Sequence, residues 1–285
     1  CGTAKWWSGS SIGDVRVFDP VAGGEALLVI EFVKGAALCN RYALYALAFF
    51  ADPATDAPRL ACGCGNSVRT EVRTFDPLVG GEALVVIDVG SQVNALAFFA
   101  DPATGELRIA CGCEGGKVRI YDPVAGGEAL VVLEGHGGYV RALIVFEDPA
   151  TGALRLASGS DNSVRVWDLA AGGAAPLELE GHTDHVNALT AFADPATGEI
   201  RLASGSDDNT VRVWDASKGG AALRVVAFDD NVWALAVRSD TSGLFVAFGK
   251  RWGELRIESG TTPLTLACYQ ADIDTIRSLL QQGAG

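Results

Sequence analysis

Four sets of residues carry side chains able to do chemistry. His182, Ser204 and Asp208 are the residue types of a hydrolytic triad, a nucleophilic hydroxyl with a base and an orienting acid. His182, Asp184 and His185 lie close enough in sequence to share a metal ion. Cys62, Cys64, Cys111 and Cys113 form two Cys-Gly-Cys strings. The turns reading Asp-Pro-Ala-Thr-Gly resemble acidic calcium loops at first sight. Each set has a plainer reading. The triad types recur in part as His136, Ser158 and Asp161, and each set is followed by a tryptophan, Trp167 or Trp214. An active site is seldom duplicated along a chain, whereas an element of the fold usually is. In the earlier set the turn is one residue shorter, which loosens the match of Asp161. Ser158, Ser160, Ser204 and Ser206 occupy the places of the four cysteines, so the thiols read as small buried substitutes for serine. The acidic turns lack clustered oxygen ligands and are better explained by proline fixing one dihedral and glycine permitting another. No metal, cofactor or catalytic residue is therefore expected.

The elements that position these residues are repeated. Ala-Asp-Pro-Ala-Thr-Gly-Glu-Leu-Arg-Ile-Ala from Ala100 returns almost unchanged from Ala193, with variants from Ala51 and Glu147. A second string ends each unit: Val-Arg-Thr-Phe-Asp at 72–76, Val-Arg-Ile-Tyr-Asp at 118–122, and Val-Arg-Val-Trp-Asp at 164–168 and 211–215. Its closing aspartates, Asp76, Asp122, Asp168 and Asp215, are 46, 46 and 47 residues apart. Each unit reads as four short strands between Gly, Asp, Pro and Asn turns; around Trp214 they fall at 186–192, 200–204, 210–214 and 222–227. Four strands at this period suit a propeller blade.

Glu180-Gly181-His182, Leu202-Ala203-Ser204-Gly205-Ser206 and Thr210-Val211-Arg212-Val213-Trp214-Asp215 resemble the WD repeat. The unit with Gly135-His136, Ala157-Ser158-Gly159-Ser160 and Trp167-Asp168 is similar. The resemblance covers residues 1–258 and implies an all-β propeller with blades at 42–88, 93–133, 139–180 and 186–227. Parts of blades fall at 4–32 and 231–258, making about six blade units, with seven possible in a longer protein. It also implies that His182, Ser204, Asp208 and Trp214, and His136, Ser158, Asp161 and Trp167, are structural hydrogen-bond tetrads.

Residues 259–285 change register. Thr262-Pro263-Leu264-Thr265-Leu266-Ala267 resembles the opening of an ankyrin repeat, with Thr265 in place of the usual His. Thr262 and Asp272 suit helix caps and Gly283 a helix end, so a short helical pair is expected. Residues 263–280 also align without gaps to 176–193, and the alternative is that they supply strands closing the propeller.

In the innermost strand, Val93, Ala95 and Leu96 recur as Val140, Ala142 and Leu143, and as Val186, Ala188 and Leu189. The position between Val and Ala varies: Tyr45, Asn94, Arg141, Asn187 and Trp233. The propeller resemblance puts these residues, with Tyr139 in an adjoining loop, at the mouth of the central channel. Aromatic residues and arginine there suit a partner-binding surface. The net charge of −13 disfavours nucleic acid and favours a basic partner. The longest apolar run is too short to cross a bilayer, and seven cysteines with no sequon suit an intracellular, cytoplasmic or nuclear protein. The expected function is a non-catalytic scaffold within a multi-protein complex, binding a protein or peptide. The alternatives are a propeller-based hydrolase or metal-dependent enzyme, and a purely structural subunit.

Overall fold

The computed structural model describes residues 14–17, 28–31, 43–65, 70–148, 151–172, 177–194, 197–237, 243–248, 251–256 and 266–267. They form strands and turns, and no helix occurs among them, so none supplies a membrane-crossing helix. The chain divides into two compact units, Cys1–Ala100 with Glu106–Val132, and Asp101–Gly105 with Leu133–Gly285.

In the first unit, β1 (Asp14–Val17) and β2 (Leu28–Glu31) form a two-stranded antiparallel sheet. Next comes a four-stranded blade of β3 (Ala43–Ala51), β4 (Pro58–Gly65), β5 (Glu71–Phe75) and β6 (Val85–Asp88). A second blade follows, of β7 (Val93–Ala100), β8 (Leu107–Cys113), β9 (Val118–Tyr121) and β10 (Val131–Leu133). The second unit holds three more. They are β11 (Ala142–Glu147), β12 (Leu154–Gly159), β13 (Ser163–Asp168) and β14 (Leu177–Glu180); β15 (Val186–Ala193), β16 (Ile200–Ser206), β17 (Thr210–Asp215) and β18 (Arg224–Ala227); and β19 (Val232–Val237), β20 (Gly243–Phe248), β21 (Arg251–Arg256) and β22 (Leu266–Ala267). Strands follow one another in chain order within every blade.

These boundaries agree with the repeat analysis to within a few residues. One exception is the tail. The ankyrin-like reading puts Leu266 and Ala267 in a helix, but they form β22, paired as Glu254↔Ala267 and Leu255↔Leu266. Local helix signals there yield to an open ladder on β21, whose backbone groups need partners. The alternative reading of an outer strand fits these two residues. The rest of the expected helical pair, and the strand proposed to close the first blade, lie outside the described residues, as does the 4–13 portion of the first expected blade.

Two arrangements recur in the four blades built from β3 to β18. The closing aspartate of the third strand turns its Oδ1 onto the following backbone N–H groups: Leu78 N–H donates to Asp76 at 2.8 Å and Val124 N–H to Asp122 at 2.8 Å. Its Oδ2 faces the arginine at the start of the second strand. Arg59–Asp76 is 3.4 Å, Arg108–Asp122 3.6 Å, Arg155–Asp168 2.6 Å and Arg201–Asp215 3.2 Å. The Asp-Pro-Ala-Thr turns hold a carboxylate in the same way: Asp101 Oδ1 accepts from Ala103 and Thr104 N–H, and Gly105 then takes a φ of 73° that glycine tolerates best.

β4, β12 and β16 are buried over most of their length, on both faces, because each of their blades packs against its successor within the unit. The small residues of Cys-Gly-Cys and Ser-Gly-Ser make this possible. A Cβ added to Gly63 would lie 2.9 Å from Val93 Cγ1, and one on Gly159 2.7 Å from Val186 Cγ1. Gly205 meets Val232 in the same way. Val93, Val186 and Val232 are wholly buried. They join cores that run from one blade to the next: Ile87, Val93 and Ile109 in the first unit, and Val164, Val186, Leu202 and Trp214 in the second.

Two outcomes are expected. Gly159→Ala will destabilise the fold by about 1–3 kcal/mol through overpacking, and Val186→Ala in the same chain will recover part of that loss, as urea unfolding of the two single variants and the double variant will show. Cys62, Cys64, Cys111 and Cys113 are free and fully buried. Burial pushes Cys64 up to about 12 and Cys113 to about 11. All four will escape a thiol reagent at pH 8 in the native protein and react after guanidinium unfolding, as peptide mass mapping will show.

Candidate functional site

His182, Ser204, Asp208 and Trp214 come together from a loop, a strand, a turn and a strand. Trp214 Nε1–H donates to Ser204 Oγ at 2.8 Å, and Ser204 lies 2.7 Å from His182 Nε2. His182 Nδ1 is 2.7 Å from Asp208 Oδ2, which also accepts the Thr183 N–H. Thr210 donates its hydroxyl to Asp208 Oδ1 at 2.6 Å. In the neutral His182 tautomer with its proton on Nδ1, this ring donates to the carboxylate and accepts from the serine hydroxyl, and every polar group is satisfied. Burial lowers the His182 pKa against the opposing pull of Asp208. Burial works against the Asp208 carboxylate, yet the hydrogen bonds from Thr210 and His182 outweigh it and hold the pKa below the usual carboxylate range. Ser204 and Trp214 are fully buried. The serine oxygen is held between an imidazole and an indole, which ties strands together and leaves no approach for a substrate.

The neighbouring blade repeats only part of this chain. Trp167 Nε1–H donates to Ser158 Oγ at 2.8 Å and Ser158 lies 2.7 Å from His136 Nε2. Asp161, expected to complete the set, does not do so: it stands 3.5 Å from His185 Nδ1, while His136 Nδ1 is buried without a hydrogen-bond partner. The cause is turn length. Asp161 follows Ser160 as Asp207 follows Ser206, and Asp208 is an additional residue that the shorter turn lacks. Burial, reinforced by the nearby Arg165 guanidinium, lowers His136 to about 4.

In the first unit other residues take these registers. Cys62 lies opposite Arg73, and Cys111 opposite Arg119, as Ser158 and Ser204 lie opposite Arg165 and Arg212. Phe75 and Tyr121 stand where the second unit has Trp167 and Trp214. A thiol packed in the core needs no hydrogen-bond chain, and here neither His nor Trp accompanies it.

The variable position of the first strand has a structural cause that alternation alone does not reveal. The register slips between Leu44 and Ala46, Val93 and Ala95, Val186 and Ala188, and Val232 and Ala234. Tyr45, Asn94, Asn187 and Trp233 are therefore bulge residues, released from the ladder at the edge where the first strands begin. Arg141 precedes β11 and donates its N–H to Gly159 O at 2.9 Å. In the first unit Asn94 accepts from Gln92 Nε2 at 2.7 Å.

In the second unit these residues are joined. Arg141 Nη1 reaches Asn187 Oδ1 at 3.3 Å and stands 3.9 Å from Asp207, and its guanidinium lies over the Tyr139 ring at 6.0 Å. Asn187 Nδ2 donates to Asp207 Oδ1 at 2.7 Å, and Asn231 Nδ2 donates to the same oxygen at 2.9 Å. Asp207 thus binds side chains from three successive blades, and it was not singled out by sequence. The signal was present, since the residue after the second small residue of this strand is acidic in three blades, as Glu114, Asp161 and Asp207. Trp233 and Tyr139 flank this network and remain 54% and 41% exposed.

Stability near His136 sets a pH expectation. A folded-state pKa of about 4, below the unfolded value near 6.5, means that the unfolded chain takes up the proton first. The contribution is complete above pH 6.5 and is lost as pH falls towards 4, with a ceiling on the order of 3 kcal/mol. Thermal unfolding of the parent will weaken across that window, and His136→Gln will flatten the part that this residue carries.

Residues 127–168 and 175–215 match the family described as WD domain, G-beta repeat. No curated protein matches the chain in sequence. Among solved structures, a chain of the "Crystal Structure of Mitotic Checkpoint Complex" is similar, with a TM-score of 0.67 and 20% identity over 89% of this chain and 73% of that one. At that identity the likeness is one of fold. The WD-repeat match of residues 127–168 and 175–215 and the four-stranded antiparallel blades of the described residues are consistent with a WD-type propeller fold.

Proposed function

We propose that this chain is a protein-interaction scaffold that presents the bulged edge of its second unit to a protein or peptide partner. One observation carries the reading: two exposed aromatic rings, Trp233 and Tyr139, stand beside a polar network already tied down by Asp207. Aromatic anchors on a fixed support lose little freedom on binding and are the usual centres of protein interfaces. Tyr45 and Asn94 occupy the same bulge in the first unit and belong to the same proposed class of contact residue. The similar solved structure is titled as a complex, which fits a scaffold working in an assembly. A net charge of −13 favours protein partners, basic ones in particular, over nucleic acid. The buried free thiols suit the reducing interior of a cell.

The test compares the parent with an Arg141→Glu/Trp233→Ala variant of equal thermal stability. A partner captured by the parent will bind the variant at least tenfold more weakly in a direct titration. Equal affinity for both would remove this edge as the binding surface.

A further inference from the structure

The charge balance of this edge points to the chemistry of its occupant. Arg141 faces Asp207 and Asn187 and lies over Tyr139, so its charge is already engaged. An incoming carboxylate would have to compete with Asp207 for it. The loops entering β15 and β19 meanwhile carry exposed carboxylates, Asp184 and Asp230. Both are turned by their own backbones, with Asp184 Oδ1 accepting the His185 N–H and Asp230 Oδ1 the Asn231 N–H, each at 2.8 Å.

These carboxylates belong to the same edge as the exposed indole. Asp184 O accepts the Ser206 hydroxyl at 3.0 Å, one residue from Asp207. Asn187 Nδ2 contacts Val232 O at 3.4 Å, directly before Trp233. A half-exposed indole attracts a cation over its face, and neighbouring carboxylates add to that attraction where solvent is partly excluded.

We propose that this edge takes a lysine- or arginine-bearing segment of a partner protein, with the cation on the exposed face of Trp233 and the carboxylates of Asp184 and Asp230 alongside. The inference rests on the scaffold reading and adds the charge of the segment that binds. Asp207 is a positioning residue: it keeps Arg141 turned inward and so excludes an anionic competitor.

The probes are three capped tripeptides, acetyl-Gly-X-Gly-amide with X as Arg, Lys or Glu. They are titrated into the full chain while the Trp233 indole N–H resonance is followed, assigned by its loss in Trp233→Phe. The Arg and Lys peptides are expected to shift that resonance saturably, and the Glu peptide to leave it in place. Asp184→Asn/Asp230→Asn, which alters only exposed side chains, will weaken the cationic peptides at least fivefold. Asp207→Asn will free Arg141 and bring the Glu peptide into play. A Glu response equal to the Arg response would overturn the proposal, as would cationic binding indifferent to Asp184→Asn/Asp230→Asn. If no peptide moves Trp233 while Arg141→Glu/Trp233→Ala still loses its partner, the scaffold reading stands and the cation assignment fails. If cations bind but that variant keeps its partner, the cation site stands and the scaffold reading of this edge fails.

Discussion

Within each unit, the structure depends on how closely one blade approaches the next. A valine at the head of a first strand packs against a glycine in the second strand of the preceding blade, and a single methyl on that glycine would have nowhere to go. Gly63 with Val93, Gly159 with Val186 and Gly205 with Val232 repeat the same contact. This explains why the second strands are built from Ala, Cys, Gly and Ser: both of their faces are covered, and only small side chains let two sheets meet at that spacing. The larger residues, Leu60, Ile109, Leu156 and Leu202, sit further along the same strands and fill the wider part of the core.

Small residues at a packed contact create a polar problem, which the blades solve in two ways. Where serine is used, its hydroxyl needs partners, and the imidazole and indole of a neighbouring loop and strand provide them. Where cysteine is used, the weakly polar thiol needs no such chain, and the second cysteine of the string, Cys113, donates weakly to Cys111 O at 3.4 Å and lies 4.0 Å from the Arg119 guanidinium. The His182, Ser204, Asp208 and Trp214 set, and the shorter chain of His136, Ser158 and Trp167, resemble a catalytic set because buried hydroxyl, imidazole and carboxylate groups satisfy one another by the same rules in both settings. The blade of His136 shows the cost of a missing member: with its turn one residue shorter, one ring nitrogen stays unpaired in the interior and the charged form of the ring is disfavoured.

The bulge at the head of a first strand releases from the ladder the residue that follows the buried valine, and Trp233 is left exposed as a result. Core packing and surface presentation are thereby coupled at one point in the chain. The valine is held by the need for contact, whereas its neighbour varies in size, charge and aromaticity. In the second unit Asp207 then collects these side chains across three blades and makes a fixed surface of residues that alternate between variable identities.

Much of this was legible in the chain alone. Repeated Asp-Pro-Ala-Thr-Gly turns and Val-Arg-x-aromatic-Asp strands determined four strands per unit and their order, because turn dihedrals and two-residue alternation are local properties that each copy restates. The spacing of His182, Ser204, Asp208 and Trp214, which hydrogen bonds join, and the variable position of Tyr45, Asn94, Arg141, Asn187 and Trp233 were also readable, since both follow from spacing within a repeat. Tertiary structure alone decided the rest. Leu266 and Ala267 carry helix-start signals yet complete a sheet, because the open edge of β21, 11 to 13 residues back in the chain, offers a ladder that helix propensity does not register. Asp161 leaves its expected histidine because one residue fewer in a turn changes where a carboxylate can reach. Asp207 became the centre of the edge because its contacts with Arg141, Asn187 and Asn231 exist only once three blades stand side by side, and no local pattern encodes contacts between residues 20 to 66 positions apart.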